Sequence, residues 1–168
     1  VFALEKREEK NFYFNPNCTP KYEVGLQNWK ARITDECYNN SWTPKNYSTT
    51  ILGDLQLLID SILNNNITKI EENVSVSGYL TTDCGWLIDG WLSGKNVSFI
   101  FIHNVSATKY SCDSVYEDQF QPGHYKCDRN TSDMKAGWYT TVMNSTIENY
   151  NPGYNSTVNH FYIRTRPI

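Results

Sequence analysis

The residues with the clearest chemistry in this chain are asparagines. Of 19 in the sequence, ten begin Asn-X-Ser/Thr triplets: Asn17, Asn39, Asn46, Asn66, Asn73, Asn96, Asn104, Asn130, Asn144 and Asn155. In such a triplet the side-chain amide nitrogen accepts an oligosaccharide in the secretory pathway, which leaves a bulky, solubilising group on exposed backbone. With 28 Ser or Thr among 168 residues, chance placement gives roughly three triplets. The excess runs from one end to the other and reads as selection for glycosylation. It implies a secreted or extracellular protein, displayed on a virion or cell surface if part of something longer.

The five cysteines, Cys18, Cys37, Cys84, Cys112 and Cys127, fit the same oxidising compartment. At most two internal bridges can form. Closure entropy favours the short loops, Cys112 with Cys127 and Cys18 with Cys37, although spacing leaves other pairings open. Cys84 is then unpaired or joined to a partner outside the chain. The metal alternative has little behind it, since there is no C-x-x-C and His103, His124 and His160 lack zinc-site spacing.

Catalytic constellations are weak throughout. There is no G-x-S-x-G, no Gly-rich phosphate loop and no H-E-x-x-H, and Gly53-Asp54 is followed by Leu55 where a Gly-Asp-Ser esterase carries its serine. A thiol and base pair from Cys84 with His103 or His160, or an acid and base pair from the two histidines, lacks flanking signatures. Asp113, Glu117 and Asp118 read as solvated loop charges rather than paired acid and base. The expectation is a protein without enzymatic activity, cofactor or metal. The net charge of −3 and scattered Lys and Arg give no footprint for nucleic acid.

These groups need a scaffold, and 39% hydrophobic with 14% aromatic content is enough for a packed core. No apolar run is long enough to span a bilayer, and Val1–Lys10 lacks the apolar stretch of a signal peptide, so the chain reads as a mature protein or excised ectodomain. Residues 1–10 form a charged, frayed head, and 11–168 form one domain. Ile51, Leu52, Leu55, Leu58, Ile59, Ile62 and Leu63 recur on one stripe of a 3.6-residue repeat and predict an amphipathic helix from Thr50 to Asn64. Strands are predicted at Val74–Leu80, Asn96–His103, Trp138–Met143 and Val158–Arg164, and a short helix within Cys84–Leu92. The expected fold is α+β: an antiparallel or mixed sheet packed against one main helix, disulfide-stapled and heavily glycosylated. Asn73, Asn96, Asn104, Asn144 and Asn155 fall at predicted strand ends, and Asn66 follows the helix.

A protein partner must use a window between glycans. Residues 106–129 form the longest such stretch, with Tyr110, Tyr116, Phe120, His124 and Tyr125 around Pro122-Gly123, a mixture of aromatic and polar groups suited to an interface. In its ten triplets, few cysteines and abundant Asn and Tyr, the whole chain resembles the receptor-binding ectodomains of viral envelope glycoproteins. The resemblance is one of class and rests on no diagnostic motif. It implies attachment to a host cell-surface or secreted protein, with glycans limiting antibody access, and leaves room for a further subunit. A secreted immune-modulating or ligand-sequestering protein of a virus or parasite, and a secreted hydrolase, are the alternatives.

Overall fold

A computed structural model describes residues 16–18, 23–33, 41–43, 45–60, 67–85, 88 and 96–165. Among them there is no helix, and the fold is all-β. The strands are β1 (Gly25–Trp29), β2 (Arg32–Ile33), β3 (Ser41–Trp42), β4 (Tyr47–Ile51), β5 (Gly53–Ile59), β6 (Ile67–Lys69), β7 (Asn73–Thr82), β8 (Asn96–His103), β9 (Lys109–Ser111), β10 (Val115–Glu117), β11 (His124–Asn130), β12 (Gly137–Thr146), β13 (Tyr150–Asn151) and β14 (Gly153–Arg164).

Two five-stranded sheets form the body, one in the order β10-β11-β7-β5-β13 and the other β6-β14-β12-β8-β9. We call them the first and second sheets. Most pairs are antiparallel, while β13 joins β5 and β6 joins β14 in parallel. Their facing sides bury Val74, Val76 and Leu80 of β7 and Cys127 of β11 against Phe99 and Phe101 of β8, Tyr139 and Met143 of β12 and Phe161 and Ile163 of β14. Phe161 is stacked on Tyr139 at 5.0 Å and meets Phe101 edge-on at 5.4 Å; such ring pairs add about 0.5–1.5 kcal/mol each beyond area burial. Burial holds the Tyr139 phenol well above its ordinary pKa, and its hydroxyl donates to the Lys135 carbonyl. Gly78 lets the sheets close: a Cβ there would lie 2.6 Å from the Leu58 carbonyl oxygen and 2.8 Å from the Met143 sulfur.

The predicted α+β fold with a main helix is therefore corrected. Thr50 ends in β4, and Gly53–Ile59 is a strand. The same segment also reads with period two, as Ile51, Gly53, Leu55, Leu57 and Ile59, and of these all but the half-buried Leu57 are buried, while Leu52 and Leu58 face water. Gly53 would disfavour a helix interior and suits a strand that passes Tyr150 closely. Residues 61–66, most of the segment expected as a short helix at Cys84–Leu92, and the charged head lie outside the described residues; Ile88 is buried. The four predicted strands correspond to β7, β8, β12 and β14, each extended except β8.

Two seams join the sheets. On one side Cys112, just after β9, bridges Cys127 of β11, with Cα atoms 6.1 Å apart. On the other, β14 faces β5. The Asn155 side-chain nitrogen donates to the Leu57 carbonyl at 2.6 Å, and His160 Nε2 donates to the Asp60 carbonyl at 2.9 Å. A bulge makes this reach possible: β12 advances from Tyr139 to Thr141 while β14 runs from Phe161 to Thr157, and Asn159 takes a φ of 52°. A second bridge, Cys18–Cys84, links residues 66 apart and overturns both the Cys18–Cys37 pairing and the unpaired Cys84. Short-loop entropy did not decide it. Proximity in the fold did, and tying so long a loop is worth about 3–5 kcal/mol in the chain-entropy picture. Cys37 lies outside the described residues.

Asn155 lies on the inner side of β14, opposite Met143, and its amide nitrogen, which donates to Leu57, is the atom a glycan would occupy. Glycopeptide mapping of the folded, secreted protein should find Asn155 unmodified, unlike Asn73 and Asn96, which are exposed and whose amide nitrogens donate to no described residue.

Candidate functional site

The triplets divide the surface unequally. Asn96 begins β8 and Asn104 follows it, and Asn144 stands within β12, opposite Ser98 and Tyr154 on the outer side of the second sheet. Asn46 precedes β4. The described triplets near the first sheet stand at its two ends: Asn73 and Asn130 face each other at one, where the Asn130 amide donates to Asn73 at 3.1 Å, and Asn17 lies beside Gly53, Thr82 and Asp83 at the other. The rest of that face, on β5, β7, β10 and β11, carries none.

Alternation decides what this open face presents. Val74, Val76, Gly78 and Leu80 point inward, which turns Ser75, Ser77, Tyr79 and Thr81 outward. Cross-strand register sets Lys126 beside Ser77 and Asp128 beside Ser75, with Tyr116 next to Lys126. The outward groups form hydrogen-bonded clusters around Asp128, Asp118 and Asp60, the last two adjacent. In one, Asp128 accepts from the Tyr116 hydroxyl at 2.7 Å and from Ser75. These bonds, Ser75 first, hold the Asp128 carboxyl below the usual range, and the bond to Asp128 raises the Tyr116 phenol.

In the second cluster Asp118 pairs with Lys126 and accepts the Phe120 backbone N–H at 2.9 Å, so its carboxyl is also held low and the Lys126 amine is raised. Asp60, just past β5, accepts from His124 Nε2 at 2.7 Å and from the Ser77 hydroxyl at 2.8 Å. The Tyr79 ring covers His124 at 4.4 Å. His124 Nδ1 is buried and lies 3.7 Å from Asp118, beyond hydrogen-bond range. Beside these groups two apolar side chains project, Phe120 at 92% and Leu58 at 61% exposure.

Of the five residues proposed for partner contact, two occupy this surface, Tyr116 and Phe120. His124 sits beneath it under Tyr79. Tyr125 and Tyr110 are corrected to the interior. Tyr125 is 4% exposed and donates to the Ile88 carbonyl, and Tyr110, opposite Phe101, meets the Tyr139 ring. The window is not a loop but three strands, so alternate aromatics turn inward. Asp60, Ser77, Tyr79, Asp118, Lys126 and Asp128 were not singled out as binding groups; the 124, 126, 128 alternation on β11 is the signal that would have found three outward positions.

The groups considered for catalysis are engaged in the scaffold. Cys84 has no thiol, since it is bonded to Cys18. His103 accepts the Ser106 backbone N–H at Nδ1 and donates from Nε2 to the Ala136 carbonyl, both at 3.1 Å. His160 uses Nδ1 with the Thr141 hydroxyl at 2.8 Å and Nε2 with Asp60, and burial lowers its pKa. Among the described residues no three His, Cys, Asp or Glu side chains are grouped to hold a metal ion.

No protein-family model matches the chain, and no curated protein does. Among solved structures, the Lin-41 filamin domain is 13% identical, with a TM-score of 0.35 over 66% of this chain and 91% of that domain. Murine CRIg is 12% identical, with a TM-score of 0.34 over 68% of this chain and 100% of that one. Likeness at that level assigns neither family nor partner. The strand order given above stands by itself.

Two measurements test the network. Asp60→Ala leaves His124 and Ser77 without their acceptor and should cost about 1–3 kcal/mol, seen as a lower urea midpoint with unchanged slope. His160 has a folded pKa below its ordinary 6.5, so its contribution is complete above pH 6.5 and is lost as pH falls from there. The melting temperature should drop between pH 7 and pH 5, and His160→Gln, which can still donate to Asp60, should flatten that slope.

Proposed function

We propose that this chain is a non-enzymatic, secreted or surface-displayed glycoprotein domain that binds a protein partner through the open outer face of the first sheet. The observation behind this reading is the unequal placement of glycan acceptors. A glycan excludes protein over the area it sweeps, and among the described residues the face of β5, β7, β10 and β11 has acceptors only toward its ends, Asn73 and Asn130 at one and Asn17 near the other. It also has the chemistry of a contact surface: exposed Phe120 and Tyr116 as anchors, with Lys126 and Asp118 oriented by their ion pair and Asp128 by Tyr116 and Ser75. Held side chains lose less entropy on binding, and aromatic anchors dominate interface energy. In the viral class that the chain resembles, such a face would meet a host cell-surface protein while glycans cover the remainder.

A second exposed aromatic group lies on the ribbon of β1 to β4, where Trp29 stacks on Tyr47 at 4.7 Å and Arg32 lies over Trp42. The triplet at Asn46, just before β4, sits on that ribbon, which favours the open face. The carrier alternative requires a hollow interior, whereas Phe99, Phe101, Tyr139 and Phe161 fill the space between the sheets.

A glycan wedge provides the test. Gln56→Asn with Leu58→Thr creates an acceptor on the open face, at two exposed positions of β5. Against an array of cell-surface ectodomains, the wedged protein should lose its binding. Phe120→Ala should weaken the same interaction by about 30-fold, the scale of an anchor residue, and Trp138→Ala on the opposite sheet should not. Equal binding by wedged and native protein would exclude this face.

A further inference from the structure

The outer side of the second sheet differs in kind from the open face. On β8, β12 and residues 153–158 of β14 the outward positions include no charged side chain. They offer Ile100, Val142 and Tyr154 interspersed with Ser98 and Ser156. Val142 is 5% exposed although it points away from the core, while Tyr154 is 68% exposed. A sheet face kept in water ordinarily carries charge, and an uncharged face mixing rings, aliphatics and hydroxyls suits a saccharide. A pyranose ring presents an apolar C–H face that stacks on aromatic and aliphatic carbon, and hydroxyl edges that pair with serine.

An acceptor stands in its midst. Asn144 is two residues from Val142 on the same side of β12, directly opposite Tyr154, and its carboxamide makes no hydrogen bond with any described residue. Asn155 differs, because its amide is spent on Leu57. We infer that the oligosaccharide carried by Asn144 is a structural cover for the outer face of the second sheet, with its first sugar ring stacked on Tyr154 and reaching Val142 and Ile100. The face is closed by the chain's own glycan and is not a second partner site.

The experiment uses the full chain secreted from glycosylating cells. Glycopeptide mapping should find Asn144 occupied. Asn144→Gln should lower the melting temperature by about 2–4 °C and raise fluorescence of a hydrophobic dye, and Thr146→Ala, which also removes the acceptor, should reproduce both effects. Tyr154→Ala should produce the same fall, and the double variant Asn144→Gln with Tyr154→Ala should fall no further, because both changes remove one contact. Endoglycosidase trimming to the single proximal sugar should leave the melting temperature unchanged. An unoccupied Asn144, additive losses in the double variant, or a fall on trimming would overturn the inference. Partner binding is a separate readout: Asn144→Gln should retain it, so failure of either proposal is visible independently of the other.

Discussion

The free edge of β5 is the constraint around which the fold is arranged. One side of β5 is paired with β7, while beyond Gly53 and Asp54 the other has no strand to pair with among the described residues. Its carbonyls need donors, since a buried unpaired backbone group costs as much as a lost hydrogen bond. Side chains of β14 supply them, an asparagine amide to Leu57 and a histidine ring to Asp60. For both to reach, β14 must bulge at Asn159, and the bulge is what brings His160 and Phe161 inward in succession. Asp60, fixed in this way through its carbonyl, turns its carboxylate to His124 and Ser77 on the other side. One residue thus connects the seam with the outer surface of the first sheet.

From that connection follows the division of labour between the two outer surfaces. The first sheet carries oriented charge and exposed rings where acceptors are few, and the central strands of the second carry uncharged residues around an acceptor. Both arise from the same core, because alternation fixes what points outward once the inward set is chosen.

Much of this was legible in the sequence, though unevenly. β8 was read to the residue, since its apolar run between two triplets is short and β-branched, and β7, β12 and β14 were located without their full length. A helix is predicted in place of β5 because seven of the eight apolar residues in 51–63 fall on a helical stripe, while Ile51, Leu55, Leu57 and Ile59 also alternate, and periodicity alone does not arbitrate in so short a segment. Leu57, set aside by the helical reading, and Gly53, which a helix interior disfavours, both pointed to a strand. Of the residues proposed for contact, composition picks out Tyr116 and Phe120, which are exposed, whereas placing Tyr110 and Tyr125 in the interior required the strand register. The Cys112–Cys127 bridge follows from a short loop, but Cys18–Cys84 depends on tertiary proximity that spacing does not encode.

The two seams are unlike in strength. Cys112 and Cys127 join the sheets by a bond that thermal motion does not break, while the β5 and β14 side is held by the short pairing of β13 with Gly53 and Asp54 and, beyond it, by side-chain hydrogen bonds and packing. The sheets can therefore part like the covers of a book, with the disulfide edge as the spine. An opening from that side would uncover the edge of β5 beyond Asp54 and wet the aromatic interior there.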